Sequence, residues 1–184
     1  MPSAIPEKNS ANVGETARQA EVDSYAVVDS LQEQAYDDLA RLAAEACGVP
    51  MALITILDRD RNWFKSRIGV QATQATRESA FCEHLVLNPG KVLVVGDALA
   101  DTRFRGNPMV VGEPHIRFYV GVPLVSASGH TLGAVCAMDV RPRELDANQI
   151  ETLQFLATQV MKTLEERRHA LATSPTNPSG SRSG

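Results

Sequence analysis

Phe118-Tyr-Val-Gly-Val-Pro-Leu-Val-Ser-Ala-Ser-Gly-His-Thr-Leu-Gly-Ala-Val-Cys-Ala-Met138 contains no Asp, Glu, Lys or Arg and is long enough to cross a bilayer as a helix. Its polar residues decide otherwise. They sit in the middle, as Ser126-Ala-Ser-Gly-His130, between two apolar runs that carry Gly121, Pro123 and Gly133. A turn cluster between two apolar runs is a β-hairpin. The stretch therefore predicts antiparallel strands over 116–125 and 131–138 in a soluble chain. Gly121, Gly133, Ala134 and Ala137 are small residues that let a helix or a ligand approach a sheet closely.

Towards the C-terminus, Asp146 is an N-cap with Gln149 three residues on, a capping-box variant, and Leu145 can staple onto Ile150. Ile150, Leu153, Leu156 (or Ala157), Val160 and Leu164 then form the apolar stripe of a final helix. Towards the N-terminus, Met51 to Leu57 reads as a buried strand. Asp58-Arg-Asp-Arg-Asn62 is a turn, and Trp63 to Ile68 reads as a partner strand. In that partner Phe64, Ser66 and Ile68 alternate with Trp63, Lys65 and Arg67, the pattern of a strand with one wet face. An outward Trp63 would be covered by Lys or Arg stems. A first helix is expected over 23–47, with Leu31, Ala35, Leu39, Leu42 and Ala46 on its buried face, Gly48 as C-cap and Pro50 as stop. Residues 69–115 are less regular, with a short segment at 79–87 and a strand at 91–95. Residues 1–22 and 172–184, rich in Ser, Asn, Pro and Gly, are expected to be disordered tails around one domain, 23–171. Hairpin strands between helices give an α+β fold with an antiparallel sheet.

The chain has 184 residues, 43% hydrophobic and 22% charged, which suffices for one real core. Its net charge of −4 lacks the basic excess of a nucleic-acid groove or an acidic-lipid surface. Nucleic acid and membrane are therefore not expected partners. Cys47, Cys82 and Cys136 are scattered, without zinc spacing or a disulfide framework, and imply a reducing, cytoplasmic setting. The N-terminus lacks the apolar run of a signal peptide. No Gly-rich phosphate loop and no Ser-His-Asp pattern is present.

Several motifs in series resemble one family. They are Asp58-Arg-Asp-Arg-Asn-Trp-Phe-Lys-Ser66, Ser79-Ala-Phe-Cys-Glu-His84, Val95-Gly-Asp-Ala-Leu-Ala-Asp-Thr-Arg-Phe-Arg-Gly-Asn-Pro108, Pro114-His-Ile-Arg-Phe-Tyr-Val-Gly-Val-Pro-Leu124, Gly133-Ala-Val-Cys-Ala-Met-Asp139 and Pro142-Arg-Glu-Leu145. The span from about Ser24 to Arg168 resembles the GAF domain, in the subgroup fused to bacterial sensor histidine kinases and diguanylate cyclases. The resemblance implies a twisted antiparallel sheet of about five to six strands with helices on both faces. It also implies terminal helices packed together, dimerisation through them, and a pocket between the sheet and the irregular insert.

Within that frame the candidate ligand-binding residues are Phe81, Cys82, Asp97, Asp101, Arg103, Phe104, Asn107, His115, Arg117 and Tyr119. Cys82 with His84 is either a tuned thiolate or a buried small side chain beside a hydrogen-bonded imidazole. Arg103 or Arg105 either clamps an anion against Phe104 or pairs with Asp101 and locks a loop. His115, Arg117 and Tyr119 share one side of a strand by the period of two. Arg117 either meets the ligand or pairs with Asp97 or Asp101. Tyr36, Phe155 and Met161 lie off the main helical stripes and are candidates for pairing two copies.

Covalent bilin attachment in this family favours a Cys followed directly by His, and here Glu83 intervenes. The Asn-Lys-Phe-Asp-Glu signature of cyclic-nucleotide-binding relatives is absent. The expected function is a stand-alone sensory domain, without catalysis, that binds an unidentified small molecule and signals through its terminal helices to a partner or a second copy. A thiol enzyme of the free methionine sulfoxide reductase type, using Cys82 or Cys136, is the alternative. A ligand-free interaction module filled by its own side chains is the third reading.

Overall fold

In the computed structural model, which describes residues 7–174, the elements are α1 (Glu7–Ser24), α2 (Gln34–Cys47), β1 (Met51–Asp58), β2 (Arg61–Ile68), β3 (Gln74–Thr76), α3 (Glu83–Leu87), β4 (Leu93–Val95), α4 (Pro108–Val111), β5 (Phe118–Val125), β6 (Thr131–Asp139) and α5 (Ala147–Thr173). The strands form one sheet in the order β3-β2-β1-β6-β5-β4, and every neighbouring pair is antiparallel. This is the α+β architecture expected, and the 118–138 stretch is its β5–β6 hairpin.

The sheet is a septum between two cores. Alternation sends Ala52, Ile54 and Ile56 of β1, with Phe118, Val120, Val122 and Leu124 of β5, to the face covered by α2 and α5. It sends Met51, Leu53 and Leu57, with Tyr119, Cys136 and Met138, to the face covered by α3, α4 and the insert. Burial on both sides explains why β1 and β6 are buried at every position. Each large side chain so buried contributes about 1.5–3 kcal/mol.

Helix α5 starts as expected. Asp146 accepts from the Gln149 amide at 2.8 Å and Gln149 Oε1 accepts from the Asp146 amide at 3.0 Å, so the capping box is closed. Leu153, Leu156, Ala157, Val160 and Leu164 are its buried stripe.

Three expectations are corrected. The helix expected over 23–47 is interrupted: α1 ends at Ser24, Ala26 and Asp29 adopt left-handed backbone, and α2 begins at Gln34. Tyr25 and Val27 plug the core through this break, and Arg167 of α5 donates to the freed carbonyls of Tyr25 and Ala26. The buried face of α2 is Tyr36, Ala40, Ala43, Ala44 and Cys47, while Leu31 is 87% and Leu42 48% exposed. Second, β2 has no wet face. The register passes from Ile54 opposite Ser66 to Thr55 opposite Phe64, so Lys65 is an extra, bulged residue and the parity of the strand reverses there. Trp63 joins the α2–α5 core and Phe64 the other. Lys65, 2% exposed, binds Ser30 Oγ, the Leu31 carbonyl and Glu33. Third, residues 7–22, expected as a tail, are helical. Arg18, 3% exposed, donates to the Leu57 and Thr131 carbonyls at the sheet end. At the other terminus α5 carries residues 172–173, and 175–184 lie outside the described residues.

Gly48 is the left-handed C-cap of α2, φ 62°, as expected. Gly133 serves strand contact rather than a helix or ligand: a Cβ there would stand 1.8 Å from the Thr55 carbonyl oxygen of β1.

Candidate functional site

The face covered by the insert holds the site, and aromatic rings fill much of it. Phe81 stacks between Phe104 (centroids 4.6 Å apart) and Tyr119 (4.7 Å), while the His84 ring meets Phe104 edge-on at 4.7 Å. Gly121 makes room for the third ring, because a Cβ there would lie 2.4 Å from Tyr119 Oη. Under the stack Tyr119 Oη lies 3.1 Å from Cys136 Sγ, and Thr55 Oγ1 lies 3.9 Å from Cys82 Sγ.

Burial holds the thiols neutral. It pushes Cys136 up to about 12 and raises Cys82 further. Burial likewise pushes Cys47 up to about 11, and it raises the Tyr119 phenol. A protonated thiol is a poor nucleophile and a poor metal ligand. Among the described residues no group of three His, Cys, Asp or Glu has metal-holding geometry. No described helix is long and apolar enough to cross a membrane.

Two cavities adjoin beside the stack. The inner one is about 20 Å³, room for about one water, and lies among Thr55, Asn62, Phe81, Cys82, Tyr119 and Cys136. Asn62 Oδ1, buried there, has no hydrogen-bond donor among the described residues. The outer one is about 430 Å³, inside the usual range of small-molecule sites. Its floor is Leu53, Phe64 and Met138 from three adjacent strands, and Met51 faces Met138 across the β1–β6 ladder. The insert supplies Met109, Glu113, Pro114 and Ile116, and the β2–β3 connection supplies Gly69 to Ala72 at the mouth. Leu53, Phe64, Ala75, Met109 and Met138 are common to both cavities.

Of the residues singled out from sequence, Phe81, Cys82 and Tyr119 line the inner cavity. The polar candidates do other work. Asp101 and Arg103 pair bidentately at 3.0 and 2.7 Å, and the Arg103 hydrogen bond holds the Asp101 carboxyl below its usual range. Asp97 accepts from the Leu99 amide, which closes a turn. Asn107 caps α4 through the Met109 amide and donates to the Ser79 carbonyl, joining the insert to the 76–79 turn. Phe104 is the outer ring of the stack.

The shared strand side expected for His115, Arg117 and Tyr119 is corrected. The Ile116 amide bonds to the Met109 carbonyl and the His115 amide to Gly112, so the strand starts only at Phe118. His115 is left-handed, with its ring 3.6 Å from Glu113. Arg117 pairs with neither Asp97 nor Asp101 but donates to the Val110 and Ile116 carbonyls. The residues missed are the cavity's own, Met51, Leu53, Phe64, Met109, Ile116 and Met138, which read as core. Methionine at both strand ends, where Val or Ile fills a core more rigidly, is the sequence signal that was passed over.

One ion-pair chain leads away from the site. Arg77 lies between cavity residues Ala75 and Ser79, and its guanidinium donates to Glu15 of α1 and to Glu83 of α3, each at 2.5 Å. Burial raises the Glu15 carboxyl, but hydrogen bonds from Arg18 and Arg77 outweigh it and bring the group down to about 2.

A model described as GAF domain matches residues 32–164, and the chain belongs to the GAF domain family. A cyclic di-GMP phosphodiesterase of Pseudomonas aeruginosa is 39% identical over 155 residues, 84% of this chain and 26% of that protein. The chain thus spans about a quarter of that relative's length. The solved GAF domain of an Acinetobacter phosphoenolpyruvate-protein phosphotransferase is similar with a TM-score of 0.61 at 16% identity, covering 89% of this chain and 98% of that one. A free methionine-R-sulfoxide reductase of Neisseria meningitidis, solved with its substrate, gives 0.60 at 19% identity, covering 92% and 98%. At these identities the likeness is one of fold.

Proposed function

We propose that this GAF domain is sensory: a small molecule enters the outer cavity and its occupancy is passed to the terminal helices. The observation that carries the reading is that one short segment, residues 75–79, both lines a cavity of about 430 Å³ and holds Arg77 on Glu15 of α1. A ligand that prefers the ordered wall biases α1 packing by its differential affinity for the two states. The C-terminal route is parallel, since Tyr25 at the end of α1 binds Glu165 and stacks under Arg168 of α5.

Three features weigh against catalysis by this domain. The thiols of Cys82 and Cys136 are buried and neutral, whereas a sulfoxide-reducing thiol acts as its thiolate. His84 packs its ring against Phe104, and the side-chain partners of the two thiols are Thr55 and Tyr119 rather than this imidazole. The cavity's charged lining residue is the carboxylate Glu113, so a cyclic dinucleotide with two phosphodiesters would meet no cation there.

Pairing of two copies through the terminal helices rests on Phe155, 61% exposed on α5, because Tyr36 is buried and Met161 packs against the core. Sedimentation of Phe155→Glu, monomeric where the parent chain is dimeric, is the expected outcome.

Native mass spectrometry of freshly purified protein tests the sensory reading. A co-purifying small molecule is expected, lost when Ala72→Trp blocks the mouth. A ligand at a hundred times its Kd adds about 2.7 kcal/mol to stability. A bare chain with no thermal shift across a metabolite panel overturns the reading.

A further inference from the structure

The chemistry of the outer cavity narrows its ligand, on the reading that the cavity is the sensory site. Three thioethers, Met51, Met109 and Met138, line the cavity together with Leu53 and Phe64, with Ile116 on the insert side. Thioether sulfur is polarizable, adapts its shape to a guest and favours contact with aromatic rings. Among the lining residues there is no Lys, Arg or His, and the charged group present, Glu113, stands at the mouth with its side chain 91% exposed. The remaining polar groups are Gln71 on the β2–β3 connection, Gln74 at the start of β3 and Ser79 in the turn after that strand. In the adjoining inner cavity the buried group without a partner among the described residues is an acceptor, Asn62 Oδ1.

We infer that the cavity takes an uncharged, largely apolar small molecule carrying an aromatic ring, and rejects anions. A sulfonate, phosphate or carboxylate drawn onto this floor gives up its hydration and gains neither a cation nor a donor cluster. It also passes the Glu113 carboxylate on entry. A neutral ring loses little water, and any polar atom it carries is better matched as a donor, because an acceptor is what the neighbouring chamber leaves unmet.

A matched pair of fluorescent probes tests the assignment on the full chain. N-phenylnaphthylamine is neutral, and anilinonaphthalene sulfonate has the same ring skeleton with one negative charge added. The neutral probe is expected to saturate at one per chain and to bind about tenfold or more tighter than the sulfonate. Ala72→Trp, at an exposed lining position, is expected to abolish that binding, and Gln71→Trp on the same loop repeats the block should the first variant misfold. Glu113→Lys is expected to narrow the gap between the probes by a few-fold, as a screened rim charge does. A sulfonate that binds as tightly as the neutral probe, with both blocked by Trp, overturns the ligand class and leaves the sensory reading standing. Probes that do not bind, or that bind regardless of either Trp, remove the cavity as the site and take both readings with them.

Discussion

Replacing Arg77 with methionine keeps the aliphatic stem and deletes the charge that joins α1 to α3. The guanidinium is 16% exposed and its partners Glu15 and Glu83 are 35% and 34% exposed. It also donates to the Arg59 carbonyl at 2.8 Å. A hydrogen bond to a charged group contributes about 1.5–3 kcal/mol when buried, and half-wet carboxylates take the lower end after solvent screening. Glu15 keeps its bond to Arg18 at 3.0 Å, so the loss is partial. The net cost to α1 attachment is about 2 kcal/mol, which is roughly a thirtyfold rise in its opening equilibrium. Hydrogen exchange followed by mass spectrometry reads this directly: amides of Arg18 to Ser24 exchange faster in the variant, while β5 and β6 keep their protection. Acid gives an independent handle. The folded Glu15 carboxyl sits at about 2 against an ordinary 4.5. Its contribution is therefore complete above about 4.5 and is lost as pH falls towards 2. That acid loss is smaller in Arg77→Met. Unchanged exchange in α1 would show that Arg77 does not hold the helix and that its other contacts, among them Arg18, Gln19 on Asp58, Glu21 on His130 and the buried Val22, suffice.

Other consequences are quick to check. Ellman's reagent at neutral pH should label none of Cys47, Cys82 and Cys136 before unfolding, because all three thiols are buried and raised; rapid native labelling would revive thiol chemistry. Gly133→Ala should cost more than about 4 kcal/mol in urea denaturation or prevent folding, since its Cβ meets backbone at 1.8 Å. Asp146→Ala should lower stability by about 1 kcal/mol through loss of the α5 cap, and a neutral substitution would show that packing alone sets that helix start.

The elements legible in the sequence were those with local punctuation. Ser126-Ala-Ser-Gly-His130 marks the β5–β6 turn whatever packs around it, and Asp146 with Gln149 closes its own box. Elements set by distant partners were not legible. The break after Ser24 depends on Arg167 meeting two carbonyls far along the chain, and the apolar spacing of Leu31, Leu39 and Leu42 continues a helical period across it by composition alone. The bulge at Lys65 adds one residue and leaves no compositional trace, yet it moves Ser66 onto Asp37 of α2. At the site, polar residues drew attention because ligands are usually held by them. Here Asp101, Arg103, Asn107 and Arg117 build the wall from outside, and the cavity surface is methionine, leucine and phenylalanine that pattern analysis assigns to core.

Hydrogen exchange in α1 with and without saturating N-phenylnaphthylamine measures the coupling of cavity to helix directly. The probe is expected to alter α1 exchange in the parent chain and to leave it unaltered in Arg77→Met. A probe that fills the cavity while α1 exchanges at the same rate in both proteins would contradict that coupling.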